Sequence, residues 1–135
     1  MTETPIETIP TLLVVDDVAT NIDMLIRALG QDYSVRVATN GAKALDSVKK
    51  ALPDLILLDV MMPGIDGFEV CRRLKDDPTT QDIPIIFITA LNETMYKIKG
   101  FSLGAVDYVS KPFQLEEVRA RVNAHLVANI IKYTL

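Results

Sequence analysis

The sequence predicts a doubly wound α/β fold with a five-stranded parallel sheet and five helices, on two observations. Five short apolar runs alternate with segments of helical spacing, and this alternation favours a parallel sheet with helices on both faces. The first, third and fourth runs are nearly unbroken Val, Ile and Leu, which is typical of strands buried on both sides. The strands are predicted at 11–15, 34–38, 54–58, 84–89 and 107–109.

Helical periodicity fills the segments between these strands. In the first three segments, apolar residues recur at helical spacing, namely Ile22, Leu25, Ile26 and Leu29, then Ala44, Leu45 and Val48, then Phe68, Val70, Cys71 and Leu74. Glycine and proline separate the elements. A short fourth helix is predicted over 93–103, and a long fifth helix begins near Gln114. That helix is expected to exceed the domain by about two turns.

Length and composition limit the organisation and the class of partner. A chain of 135 residues forms one domain, predicted at 11–125, after a flexible leader at 1–10 and before a helix extension at 126–135. The net charge is −4 and no run of five or more basic residues appears, so direct binding to nucleic acid or to an anionic membrane is not expected. A single cysteine, no membrane span and no signal peptide predict a soluble, cytoplasmic protein.

Three strand-like runs end on charged residues. The first run ends on Asp16 and Asp17, the third on Asp59, and the fifth leads to Lys111. Because the carboxyl ends of parallel strands border the ligand crevice of such a sheet, these side chains are expected to meet there. When several carboxylates lie this close to one another, their mutual repulsion prevents all of them from staying ionised unless a positive charge, usually a bound divalent cation, neutralises them. The sequence therefore predicts a site at this edge.

The residue types at this edge suit phosphoryl transfer. A carboxylate such as Asp59 can attack phosphorus and form an aspartyl phosphate, and that chemistry depends mainly on positioning and charge neutralisation. Mg²⁺ prefers hard oxygen ligands. Lys111 supplies a positive charge for a phosphoryl oxygen, and Thr89, at the end of the fourth strand, offers a hydroxyl.

Four motifs in order make the chain resemble the response-regulator receiver domains of two-component signalling, the CheY-like superfamily, over about 11–128. They are 14–17 (VVDD), 57–67 (LLDVMMPGIDG), 88–90 (ITA) and 104–113 (GAVDYVSKPF). The resemblance implies a flavodoxin-like fold with strand order 2-1-3-4-5. It also implies that Asp59 accepts a phosphoryl group from a histidine kinase or a histidine phosphotransfer protein. In the family, Asp17, Asp59 and the carbonyl of Met61 bind Mg²⁺, while Asp16 holds a metal-bound water.

The same resemblance assigns a switch. Thr89 and Tyr108 match the family's switch pair, and Lys111 and Pro112 match a peptide bond that is usually cis. Phosphorylation is expected to shift the face formed by the fourth helix, fifth strand and fifth helix. The chain would then be no enzyme beyond catalysing its own phosphorylation and dephosphorylation.

Other interpretations remain open at this stage. An aspartyl phosphatase would need an acid two residues after the nucleophile, where this chain has Met61. A flavin carrier would need a phosphate loop where Asp16 and Asp17 would repel the phosphate. A receiver that never accepts phosphate could act as a scaffold. Individually, Asp16 could cap a helix, and Thr89 and Tyr108 could be ordinary strand residues.

Three further features lie outside the acidic crevice. Cys71 is expected to be a small buried hydrophobe, and His125 a helix residue with no phosphorelay role. The end of the last helix is apolar, with Leu126, Val127, Ile130, Ile131 and Leu135, and Lys132 as the charged residue. An exposed apolar patch usually marks an interface, so a homodimer through the C-terminal helix region is expected.

Overall fold

The structure, a computed structural model, describes residues 9–134, with side chains as far as Lys132. Five parallel strands form one sheet in the order β2-β1-β3-β4-β5, which confirms the predicted fold class and strand order. The strands are β1 (Thr11–Val15), β2 (Ser34–Ala38), β3 (Leu55–Leu58), β4 (Ile85–Thr89) and β5 (Asp107–Ser110). The helices are α1 (Ala19–Leu29), α2 (Gly41–Lys50), α3 (Gly67–Asp76), α4 (Thr94–Ser102) and α5 (Leu115–Thr134).

Where the predicted and observed bounds of the strands and of α4 differ, they differ by one residue. β3 and β4 each begin one residue later than predicted, β5 ends one residue later, and α4 is one residue shorter at each end. Residues 1–8 of the predicted leader, and Leu135 of the predicted extension, lie outside the described residues. In the described part of the chain, no helix combines the length and the apolar character that a membrane crossing requires.

β1, β3 and β4 are buried on both faces because their residues alternate between two apolar layers. One layer packs under α2, α3 and α4, with Leu13 and Val15 of β1 and Phe87 of β4 among its members. The other layer packs under α1 and α5 and includes Val14 and Leu57. In a strand, successive side chains point to opposite faces, so one run of Leu, Ile and Val supplies both cores.

α5 has its core-facing residues at intervals of four, and one of them corrects a prediction. Val118, Val122 and Leu126 are 1%, 0% and 7% exposed and belong to the layer under α1 and α5. Leu126 was expected in the exposed extension, but one more helical turn returns it to the sheet side. Val127, Ile130 and Ile131 are exposed, as expected.

Candidate functional site

The three acidic residues predicted to meet do lie together at the carboxyl edge of the sheet. Carboxylate oxygens of Asp16, Asp17 and Asp59 all lie within 4.8 Å of one another. β1 and β3 are neighbours in the sheet, and the Asp59 amide donates to the Val15 carbonyl at 2.9 Å. Asp16 and Asp59 are buried, while Asp17 is exposed. Three converging carboxylates are the hard oxygen donors that Mg²⁺ prefers, so the donor set fits that ion.

Lys111 reaches into this cluster from the end of β5. Its Nζ donates to Oδ2 of Asp16 at 2.8 Å and to Oδ2 of Asp59 at 2.9 Å. Burial by itself would lower the pKa of Lys111, but hydrogen bonds to the two carboxylates and their charges outweigh burial and raise it. The ammonium is therefore fully charged at neutral pH. The Lys111–Pro112 peptide bond is cis.

The two carboxylate oxygens of Asp16 make different contacts, one with the backbone and one with Lys111. Its Oδ1 accepts from the Val18 amide at 2.9 Å, in the turn that leads into α1, while its Oδ2 binds Lys111. Val18 itself is the N-cap residue of α1, and its side chain makes no cap hydrogen bond. The interpretation of Asp16 as a turn-stabilising residue is thus compatible with a second role, because one oxygen still points into the cluster.

The loop after Asp59 is fixed by a close approach of the backbone at Gly67. A Cβ added to Gly67 would lie 2.1 Å from the Asp59 carbonyl oxygen, so only glycine allows this contact. The Gly67 amide donates to the Val60 carbonyl at 2.9 Å, and Asp66 caps α3 through the Glu69 amide at 2.9 Å. The start of α3 is therefore locked against the loop that holds the central carboxylate.

Met61 lies two positions after Asp59, and Leu91 lies two positions after Thr89. The Met61 amide donates to Oδ1 of Asp59 at 3.2 Å, and Met61 is 57% exposed. The Leu91 amide lies 3.4 Å from the Thr89 hydroxyl. Both side chains line an open groove of about 500 Å³ beside the site, together with Met62, Phe68, Tyr96 and Lys99, among others.

Thr89 and Tyr108 lie on adjacent strands, with both side chains buried. Thr89 is 0% exposed and Tyr108 is 7% exposed. The Tyr108 hydroxyl donates to the Leu91 carbonyl, and its ring centroid lies 5.8 Å from that of Phe87. Burial, assisted by the negative charge of Asp59, raises the pKa of Tyr108 to about 12. The hydroxyl therefore remains a donor across the physiological range, and it ties β5 to the β4–α4 loop.

Gly100 leaves room for this inward position of Tyr108. A Cβ at Gly100 would lie 3.1 Å from the rings of both Phe87 and Tyr108, which is tighter than most Cβ contacts, so the rings would have to shift by a few tenths of an ångström. A glycine inside a helix costs about 0.5–1 kcal/mol relative to alanine. The sequence analysis missed this residue, although a glycine at a buried position inside a predicted helix is the signal that could have identified it.

The structure contains a charged network that sequence reasoning also missed. Asp107, at the start of β5, accepts from Arg121 at 2.8 Å and lies 3.0 Å from Nε2 of His125. His125 therefore lies outside the acidic cluster, beside the start of β5, whereas Lys111 follows the end of that strand. Cys71 is fully buried, as expected of a small core residue, and burial raises the pKa of its thiol to about 11.

Comparison with known proteins matches this arrangement to one family. The family model for the response regulator receiver domain matches residues 12–123. The chain belongs to that family. The response regulator PleD of Caulobacter vibrioides is 48% identical over 114 residues, which are 84% of this chain and 25% of PleD. The DNA-binding dual master transcriptional regulator RpaA of Synechocystis is 44% identical over 118 residues, 87% of this chain and 49% of RpaA.

A solved receiver domain has the same fold. The BeF3-activated receiver domain of DrrB superposes with a TM-score of 0.81 at 33% identity, covering 88% of this chain and 98% of that one. The curated relatives are longer than this receiver, which spans about a quarter of PleD and half of RpaA. The part that each shares with this chain is the receiver domain.

Proposed function

We propose that this receiver is a phosphorylation-controlled switch in which Asp59 accepts a phosphoryl group from a histidine kinase or a histidine phosphotransfer protein. The single observation that supports this most directly is the Lys111 ammonium between the Asp16 and Asp59 carboxylates. This places a full positive charge beside the carboxylate that would attack phosphorus. Such a charge is what a developing phosphoryl oxygen requires.

The proposed step is an in-line displacement. An Asp59 oxygen forms a bond to phosphorus while the bond from phosphorus to the donor's imidazole nitrogen breaks, and the imidazole leaves with the bonding electron pair. Lys111 neutralises phosphoryl oxygens, and the Thr89 hydroxyl donates to one of them. Asp16, Asp17, Asp59 and the Met61 carbonyl are proposed to hold Mg²⁺, which would supply further charge neutralisation when bound.

The proposed output is a shift in the population of two arrangements. A phosphoryl group adds about −1.5 to −2 of charge beside Thr89, and it favours whichever arrangement gives it more hydrogen bonds. Thr89 is connected to the face formed by α4, β5 and α5 through Leu91, whose amide meets its hydroxyl and whose carbonyl accepts from Tyr108. The inward Tyr108 is thus the proposed link between the site and that face.

Partners and output follow from the same proposal. The kinase or phosphotransfer protein would dock near α1 and the loops around Asp59, in the cytoplasm, and the receiver would act on an attached domain or a separate protein rather than on a substrate. Direct binding of nucleic acid or membrane is not proposed. RpaA, of which this receiver spans 49%, is a DNA-binding transcriptional regulator, so the output is proposed to be set outside the receiver.

Labelling with acetyl phosphate tests the proposal. The chain should take up one phosphoryl group in the presence of Mg²⁺, and Asp59→Asn, whose amide has the same shape, should fold normally and take up none. Asp46→Asn, a change of the same kind at an exposed residue of α2, is the matched control and should be labelled like the unaltered chain. Undiminished labelling of Asp59→Asn would contradict the proposal, as would labelling that does not depend on Mg²⁺.

A further inference from the structure

α5 has apolar side chains on two opposite sides, and its domain uses only one of them. The side formed by Val118, Val122 and Leu126 is buried against the sheet and α1. With about 100° between successive residues, a second set of residues lies on the far side of the helix, and all four are exposed: Ala120, Ala124, Val127 and Ile131. Val127 and Ile131 are 46% and 51% exposed, so the domain's own core leaves them in water.

These four residues, called the outer seam below, have the spacing of a coiled-coil contact. They follow one another at intervals of four, three and four residues, which is the alternation of the two apolar positions in the heptad with which helices wind around each other. A contact with this repeat is complementary to a copy of itself. The two alanines, near the start of the seam, would let two helix backbones approach closely, and the two branched residues further along provide the apolar area.

We propose that the outer seam pairs with the outer seam of a second copy of this chain, with the two α5 helices parallel. The flanking charges favour this orientation. In a parallel pair, the residue just before one seam position faces the residue five further along the other helix, which places Glu116 opposite Arg121 of the second copy. Both side chains are accessible, and Arg121 is 43% exposed. In an antiparallel pair Glu116 would lose this opposite charge.

Glu117 limits the seam at its beginning. One turn before Ala120, the next seam position would be Glu117, and two glutamates facing each other would repel. Within each helix, however, Glu117 already accepts from Arg121 at 3.0 Å, which reduces that repulsion. The guanidinium, held on its own chain by Asp107 at 2.8 Å, is fixed at the edge of the seam, where it can meet Glu116 of the second copy.

The pairing is expected to be reversible. The seam extends over about two heptads, fewer than the three or four that define an independent coiled coil. In return, each α5 is already folded against its own domain, so no helix has to be nucleated on association. The dimer therefore forms at micromolar to near-millimolar concentrations rather than at trace concentration. The outer seam is separate from the acidic cluster, so the inference does not depend on phosphorylation.

Sedimentation velocity of the 135-residue chain across that concentration range tests the pairing. The unaltered chain should shift from monomer to dimer, and Val127→Glu with Ile131→Glu should raise the dissociation constant by at least about tenfold, because four glutamates then face one another. Ile98→Glu is the matched control, since Ile98 is 63% exposed on α4, and it should dimerise like the unaltered chain. A chain that stays monomeric overturns the inference, and so does a dimer that only Ile98→Glu weakens.

Cysteine cross-linking tests the orientation. Because Ala124 lies on the seam, Ala124→Cys should form a disulfide-linked dimer with its own copy under mild oxidation, while buried Cys71 should not react. If a mixture of Ala124→Cys and Val127→Cys cross-links and Ala124→Cys alone does not, the helices are antiparallel and the proposed arrangement is wrong. All variants should retain acetyl-phosphate labelling, so a failure here is distinguishable from a failure of the proposed phosphoacceptor function.

Discussion

The lifetime of the aspartyl phosphate should be controlled by Met61 and Leu91. Hydrolysis needs a water aligned behind phosphorus, and in receivers the residues two positions after the phosphoacceptor and two after the switch threonine flank its path. Here both positions line the groove beside the site. A thioether sulfur is at best a weak acceptor and leucine offers no polar group. Neither side chain can orient that water, so we expect a long-lived phosphoryl group.

Replacing the two residues with Met61→Asn and Leu91→Glu should accelerate dephosphorylation. The polar contacts at these positions come from the backbone, since the Met61 amide binds Asp59 and the Leu91 carbonyl accepts from Tyr108, so the substitutions leave those contacts in place. One or two new hydrogen bonds to the attacking water, at about 0.5–3 kcal/mol each depending on charge, allow roughly 1.4–3 kcal/mol of transition-state stabilisation. That corresponds to an increase of about 10- to 150-fold in the rate.

The assay is the release of inorganic phosphate from the phosphorylated chain after the donor has been removed. Ile98→Glu introduces the same glutamate on the exposed side of α4 and should decay like the unaltered chain. A double variant that decays no faster would refute the reasoning, because water positioning by these side chains would then not limit the lifetime. Equal acceleration by Ile98→Glu would refute it too, since the effect would come from charge alone.

Three further predictions concern the metal ligands, the core and the charged network. Asp17→Ala should weaken Mg²⁺ binding more than Asp16→Ala in a titration, because a direct ligand loses a coordination bond and a water-holding residue loses only indirect support; equal or reversed losses would mean that the roles are wrongly assigned. Leu57→Ala, at a 1% exposed position of β3, should lower the free energy of unfolding by about 2–5 kcal/mol in a denaturant titration, whereas Leu52→Ala, at a 57% exposed position, should change it by less than about 0.5 kcal/mol. For Asp107, burial would raise the pKa, but hydrogen bonds from His125 and Arg121 lower it overall. The stability that Asp107 contributes is therefore present above the ordinary carboxyl pKa of about 3.9 and is lost as the pH falls towards the lowered pKa. Acid unfolding curves of Asp107→Asn should lack this loss of stability, and those of Asp46→Asn should retain it.

The fold was predictable because its strands are short, nearly continuous apolar runs. Leu12 to Val15 and Leu55 to Leu58 have no polar residue, which is typical of strands covered on both faces. The charges that follow these runs were equally informative. Once Asp17 and Asp59 are placed at the ends of parallel strands, their meeting follows from the sheet alone, and the structure brings them together as expected.

Contacts between distant elements were not predictable in the same way. Nothing local in the sequence indicates that Asp107 binds Arg121 and His125, because that network depends on the angle at which α5 crosses the start of β5. The burial of Leu126 has the same origin. Counting residues predicted a helix longer than the domain, but the point at which the helix leaves the sheet depends on where the sheet ends.

Gly100 and Tyr108 connect local sequence to switching in a way that neither residue reveals alone. A helix position that accepts glycine despite its cost of about 0.5–1 kcal/mol leaves a space that the Tyr108 ring fills against Phe87. The ring in that space brings its hydroxyl to the Leu91 carbonyl, two residues from Thr89. The packing of α4 on β5 and the hydrogen bonding of the β4–α4 loop therefore both depend on the position of the Tyr108 side chain. A phosphoryl group that draws on the Thr89 hydroxyl, as proposed, is therefore expected also to bias how α4 lies against Tyr108, because the same loop makes both contacts.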